Sequence, residues 1–111
     1  MAKEKSTMQG SATMLVLALL KNREMYGYEI IEELEKRSNQ VFKLKEGTLY
    51  PILHGLEKDK LVTARQAEAP SGRVRRYYRI TSDGRRVLED KESQWAVYVK
   101  AMGRILGGES V

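Results

Sequence analysis

Residues 46–80, EGTLYPILHGLEKDKLVTARQAEAPSGRVRRYYRI, change period part-way along, and that change decides the fold. Leu49, Ile52, Leu53 and Leu56 fall at i, i+3, i+4 and i+7, which predicts a helix over about 46–59 with one narrow apolar face. Its opposite face carries Gly47, Tyr50, Pro51, His54 and Lys58. Pro51 is tolerated if Thr48 is the N-cap, because a proline in the first turn gives up no helical hydrogen bond. Beyond Leu61 the period becomes two: 62–67 and 73–80 alternate around Ala69-Pro70-Ser71-Gly72, a turn sequence. Two short strands about such a turn make a β-hairpin. Alternation puts Arg73, Arg75, Tyr77 and Arg79 on one face, and Val74, Arg76, Tyr78 and Ile80 on the other. Tyr78 and Ile80 are then core candidates, and Arg75 and Arg79 are better placed for contact than Arg76.

Upstream of this segment the pattern is helical twice more. Residues 1–10 are polar and read as a flexible N-terminal arm, with Ser11 capping a first helix that runs to about residue 21. That helix is apolar on nearly all sides from Ala12 to Leu20, so it requires burial on more than one face. The apolar run follows Lys3 and Lys5 as a leader peptide would, but no small-residue cleavage site follows it. It is also shorter than the roughly 20 apolar residues of a membrane span. Met25-Tyr26-Gly27 interrupts the pattern, and a second helix follows to about residue 38, with Ile30, Ile31 and Leu34 inward and a largely acidic outer face. Asn39-Gln40 ends it, and Lys43 and Lys45 lie in the linker to the third helix.

Downstream, Thr81 caps a last helix that Gly107-Gly108 stops. Leu88, Trp95 and Met102 recur every seven residues, and Val99 and Leu106 extend the stripe. A helix beyond the hairpin has no core left to join in so small a domain, so this stripe implies a second copy across a two-fold axis. The fold expected is mainly α with a small β-hairpin: a winged helix-turn-helix over 11–81, then a C-terminal dimerisation helix and short tail over 82–111. Leu15, Leu88, Trp95, Val99, Met102 and Leu106 are the expected dimer contacts.

Composition bounds the function. The chain has 111 residues, 20 Lys and Arg against 15 Asp and Glu, and a net charge of +5. A basic excess suits an anionic partner. There is no cysteine and a single histidine, which removes thiolate metal sites and cysteine nucleophiles and fits a cytoplasmic setting. No phosphate loop and no metal-ligand spacing occurs, so neither enzyme, cofactor nor metal is expected. The cations instead cluster where a winged helix meets duplex DNA. Lys43 and Lys45 stand at the start of the third helix, where free N–H groups and cations grip a phosphate. Tyr50, Pro51 and His54 lie on its exposed face, and Arg73 and Arg75 on the wing. A winged helix that only docks proteins is the competing function, and the cationic wing argues against it.

The strings Tyr26-Gly27-Tyr28-Glu29-Ile30, Gly47-Thr48-Leu49-Tyr50-Pro51-Ile52-Leu53 and Leu56-Glu57-Lys58 resemble the PadR family of bacterial transcriptional regulators. Gly72-Arg73, Arg76-Tyr77-Tyr78-Arg79-Ile80-Thr81 and Gly84 continue the likeness in the same order. The resemblance implies a homodimer that binds double-stranded operator DNA, usually as a repressor relieved by a small-molecule inducer. It places Thr48, Tyr50 and Pro51 on the recognition helix, and Arg73 and Arg76 on the wing. Lys45 departs from the family, which commonly has a small capping residue there. The resemblance to the small subgroup further implies a site for flat aromatic compounds at the dimer centre, at Trp95 and Val99 with Met8 and Ala12 nearby.

Overall fold

The computed structural model describes residues 2–107 of the chain, and side chains from residue 11 onward. The order is α1 (Ala2–Leu19), β1 (Met25–Tyr26), α2 (Gly27–Arg37), α3 (Glu46–Lys58), β2 (Val62–Glu68), β3 (Val74–Ile80) and α4 (Ser82–Leu106). The fold is mainly α with a small antiparallel sheet, as the change of period predicts. The expected arm is replaced by helix: α1 starts at Ala2, well before Ser11. Ala2, Lys3, Glu4, Lys5 and Met8 are all good helix formers, so capping at Ser11 does not set the start.

The wing is three-stranded, in the order β1-β3-β2. β2 and β3 pair antiparallel from Val62↔Ile80 to Glu68↔Val74. Met25↔Tyr78 and Tyr26↔Tyr77 add β1 to the free edge of β3. The stretch that interrupts the helical pattern is therefore a strand. Gly72, at φ 91°, supplies the left-handed residue of the wing turn.

One core joins these elements. Val16, Leu17 and Leu20 meet Ile30 and Leu34 of α2, Leu49, Leu53 and Leu56 of α3, and Met25, Tyr78 and Ile80 of the sheet. Tyr78 and Ile80 are buried, as strand parity requires. Leu88 is also in this core, at 1% exposure, and so is not an inter-subunit residue. The expectation that the last helix finds no core fails for its first turns. Thr81 caps α4 by accepting a hydrogen bond from the Gly84 amide at 3.0 Å, while its own hydroxyl donates to the Lys60 carbonyl. That pins the helix start against the segment between α3 and β2.

α3 is N-capped by Lys45 and not by Thr48, so Pro51 lies inside the helix, past the first turn. The proline withholds an N–H from the Gly47 carbonyl, and Gly47 is exposed, so water can take the vacant acceptor.

Candidate nucleic-acid interface

α3 commits its inner face to the core, and this fixes what it can offer outward. With Leu49, Leu53 and Leu56 buried, Gly47, Tyr50, Pro51, His54 and Lys58 face solvent. Lys43 and Lys45 are exposed in the approach to the helix, and Lys45 makes no side-chain cap. The Thr48 amide already donates to the Lys45 carbonyl at 3.0 Å, which leaves the Glu46 and Gly47 amides to meet an anion beside two cations. Glu46 shares that turn and complements the helix dipole, so it competes with any phosphate there.

The structure divides the expected recognition residues between two sides. Thr48 and Pro51 line a groove of about 640 Å³, shared with Thr13 of α1 and with Val87 and Lys91 of α4. Tyr50 turns the other way, toward the start of α2 and the wing. Its ring stands against Gly27, and the phenol is raised above its ordinary value chiefly by burial, with Glu46 and Tyr78 adding and Arg75 opposing. His54 lies exposed between the two sides.

On the outer face of the wing, cations and aromatic rings alternate. The Arg75 guanidinium lies 4.8 Å over the Tyr26 ring, Tyr26 meets Tyr77 edge-on at 5.4 Å, and Arg65 lies 5.6 Å over Tyr77. Glu24 anchors the far end, accepting from Arg65 Nε at 3.1 Å and from Nη2. Those hydrogen bonds hold the Glu24 carboxyl below its ordinary value and push Arg65 up. Each exposed cation–π contact is worth about 0.5–1 kcal/mol. Their value here is geometric, since they fix the angle of long side chains that would otherwise sweep through solvent.

The wing arginines fall into three situations. Arg73 is exposed beside the turn, with no ion pair among the described residues. Arg75 is half-buried, and its Nε has no hydrogen-bond partner. Arg76 pairs with Glu57 of α3 at 2.6 Å and leans over Tyr78, on the face that strand parity assigns it. Parity and family likeness disagree over Arg76, and the reason is visible: it is exposed, but its charge is already matched.

Sequence reasoning missed Tyr26 and Gly27, which hold Arg75 and Tyr50. The Tyr-Gly-Tyr string was visible, but nothing local shows that it lies against the third helix. Glu57 was missed because its partner is on the wing.

α4 leaves the domain after Leu88. Trp95 is 49% exposed, and Val99, Met102 and Leu106 are exposed with it. Tyr98 and Ile105, which the heptad spacing left out, widen the stripe, and Trp95 stacks on Tyr98 at 5.4 Å. Ala12 and Leu15 are half-buried on α1. The side chain of Met8 lies outside the described residues. Among the described residues, no side-chain group has the make-up of a metal site, no charged residue is buried, and no helix is long and apolar enough to cross a membrane.

Known proteins share this fold. The model of the transcriptional regulator PadR-like family matches residues 16–90. The transcriptional regulator Rv3488 of Mycobacterium tuberculosis is 36% identical over 91 residues, covering 80% of this chain and 77% of that one. A transcriptional regulator from Clostridium thermocellum superposes with a TM-score of 0.80 at 28% identity, over 89% of this chain and 96% of its own. A PadR family regulator from Eggerthella lenta superposes with a TM-score of 0.76 at 31% identity, covering 95% of this chain and 90% of that chain.

Proposed function

Because the chain belongs to the PadR-like family of transcriptional regulators, and so is a DNA-binding regulator and not an enzyme, we propose that it is a cytoplasmic homodimer that represses transcription from a specific operator. The observation that carries this reading is the convergence of α3 and the wing: the Tyr50 ring stands against Gly27, next in the chain to Tyr26, on whose ring Arg75 lies, with Lys43, Lys45 and Arg73 open on the flanks. On this face Tyr50 and His54 reach base edges, while Thr48 and Pro51, on the other side of α3, follow the opposite groove wall. Lys43, Lys45, Arg73 and Arg75 hold phosphates, while Arg76 acts mainly through Glu57. The cations gather on the approach to α3 and on the wing, while α2 carries Glu29, Glu32, Glu33 and Glu35; Glu46 and Glu57 of α3 are the acidic exceptions on this face.

The second copy docks along Trp95, Val99, Met102 and Leu106 of α4, with Leu15 at its edge. Two recognition helices then meet half-sites about one helical turn apart. A planar aromatic inducer stacks at the Trp95–Tyr98 pair on the two-fold, with Val99, Ala12 and Met8 around it, and releases the DNA. Trp95 is the chain's single tryptophan, so its fluorescence reads that site alone.

The test is a titration of duplex selected by the protein from a random pool, with scrambled duplex as competitor, at several salt concentrations. Saturable binding that survives competitor is expected, with a steep salt slope that Arg73→Ala lowers by about one, as removing a single phosphate-binding cation should. Equal weak binding to both duplexes would leave only non-specific attraction. For the inducer, a planar polycyclic dye should quench Trp95 and release the duplex over the same concentration range. No quenching at saturating dye would make Trp95 a packing residue only, and quenching without release would leave a ligand site that does not act on the DNA.

A further inference from the structure

We infer that Gly27 is a positioning residue for DNA recognition, its missing side chain being the seat that holds the Tyr50 ring between α2 and the wing; this rests on the proposed role of Tyr50. A Cβ at Gly27 would lie 2.4 Å from the Tyr50 hydroxyl oxygen, 2.8 Å from Cζ and 3.2 Å from Cε1. All three nearest atoms belong to that one side chain, and two of the distances are closer than real Cβ atoms approach anything. Nothing else at this position calls for glycine. Its φ is not left-handed, since Gly72 and Gly107 are the described glycines that are. It opens α2, where alanine is the better helix former. What remains is the space that Tyr50 fills.

The seat joins three elements. Tyr26, just before Gly27, carries the Arg75 guanidinium on its ring, and the Glu29 carboxylate accepts the Tyr26 amide at 3.1 Å. Tyr50 projects from α3 into the angle between them. The recognition helix and the wing are thus registered to each other through one tyrosine tip against one bare Cα. Because the obstructing atoms are the far end of a side chain that is 36% exposed, an added methyl expels the ring toward solvent without forcing backbone apart. The domain stays folded and Tyr50 is misaimed.

The experiment compares wild type, Gly27→Ala, Tyr50→Ala and the double variant against duplex selected by the wild type, and against scrambled duplex. Gly27→Ala should weaken specific binding by about tenfold. Binding to scrambled duplex, the circular dichroism spectrum and the melting temperature should be unchanged. In the Tyr50→Ala background the same substitution should have almost no effect, because no ring remains to be displaced. A second readout uses the free protein: ring-labelled tyrosine NMR, with Tyr50→Phe as the assignment. The groups facing this phenol are Glu46, Tyr78 and Arg75, and burial dominates over them. Expulsion should therefore move its titration down toward the ordinary tyrosine value. An unaltered affinity and titration in Gly27→Ala, or equal losses in both backgrounds, would overturn the role of Gly27. A wild type that shows no preference for its selected duplex would instead overturn the DNA face on which it rests.

Discussion

Gly27 and Gly84 occupy the first turns of α2 and α4, and neither has room for a Cβ, yet what stands in the way differs. At Gly84 the obstacle is backbone: a Cβ would lie 2.2 Å from the Leu61 carbonyl oxygen and 2.8 Å from Ile80 Cγ1. That carbonyl is held in place, since it accepts the Thr81 amide at 3.0 Å. Alanine is favoured over glycine in a helix by about 1 kcal/mol, but here it must push α4 off the β2 lead-in. Gly84→Ala should therefore destabilise the domain by about 1–3 kcal/mol, as overpacking does. Urea denaturation at constant m-value measures it, and a loss of stability comparable in Gly27→Ala would contradict the distinction drawn between side-chain tip and backbone. Neither glycine's role is legible in sequence, because the atoms concerned lie on elements remote in the chain. Tyr78 and Ile80 were legible, since alternation alone separates inner from outer positions on a strand.

At the scale of elements, the outer sheet face is held by Glu24, which ties the approach to β1 to Arg65 of β2. Its carboxyl lies below the ordinary value of 4.5, with the Arg65 hydrogen bond the largest cause. The ionised form is therefore favoured by folding. The contribution is full above about pH 4.5 and disappears as pH falls through the lowered folded-state value. Both partners are substantially exposed, so solvent screening keeps the contribution small. The stability difference between wild type and Glu24→Gln should be small at neutral pH and vanish in acid, and added salt should reduce it at neutral pH. A difference that persists at about pH 3, below the ordinary carboxylate range, would assign the effect to packing. β1 itself was illegible: two residues carry no periodicity, and only the free edge of β3 makes them a strand. Helix α3 was legible from Leu49, Ile52, Leu53 and Leu56, whereas its capping was not. Lys45 takes the N-cap without a side-chain hydrogen bond, so sequence preference pointed to Thr48 and the backbone chose otherwise.

At the scale of the whole molecule, the last helix is out of proportion to the domain. Its 25 residues reach about 37 Å. The radius of gyration is 15.5 Å, where a compact chain of this length would have about 13 Å. The face of α4 that buries Gly84 and Leu88 continues, at helical spacing, into Trp95, Val99, Met102 and Leu106. The core-facing stripe thus runs on after the core has ended, which is the physical ground for supplying the missing half from a second copy. Val99→Asp tests this with little effect on the protomer, because Val99 is exposed there and surface changes rarely exceed about 0.5 kcal/mol. Across a two-fold axis the same substitution buries two like charges, which costs several kcal/mol. Sedimentation should show the dimer dissociating, and affinity for paired half-sites should fall toward that of a single half-site. Lys100→Glu, one position along but turned away from the stripe, changes charge by more and should leave the assembly intact. Dissociation by both variants would attribute the effect to net charge, and dissociation by neither would place the subunit contact elsewhere on the chain.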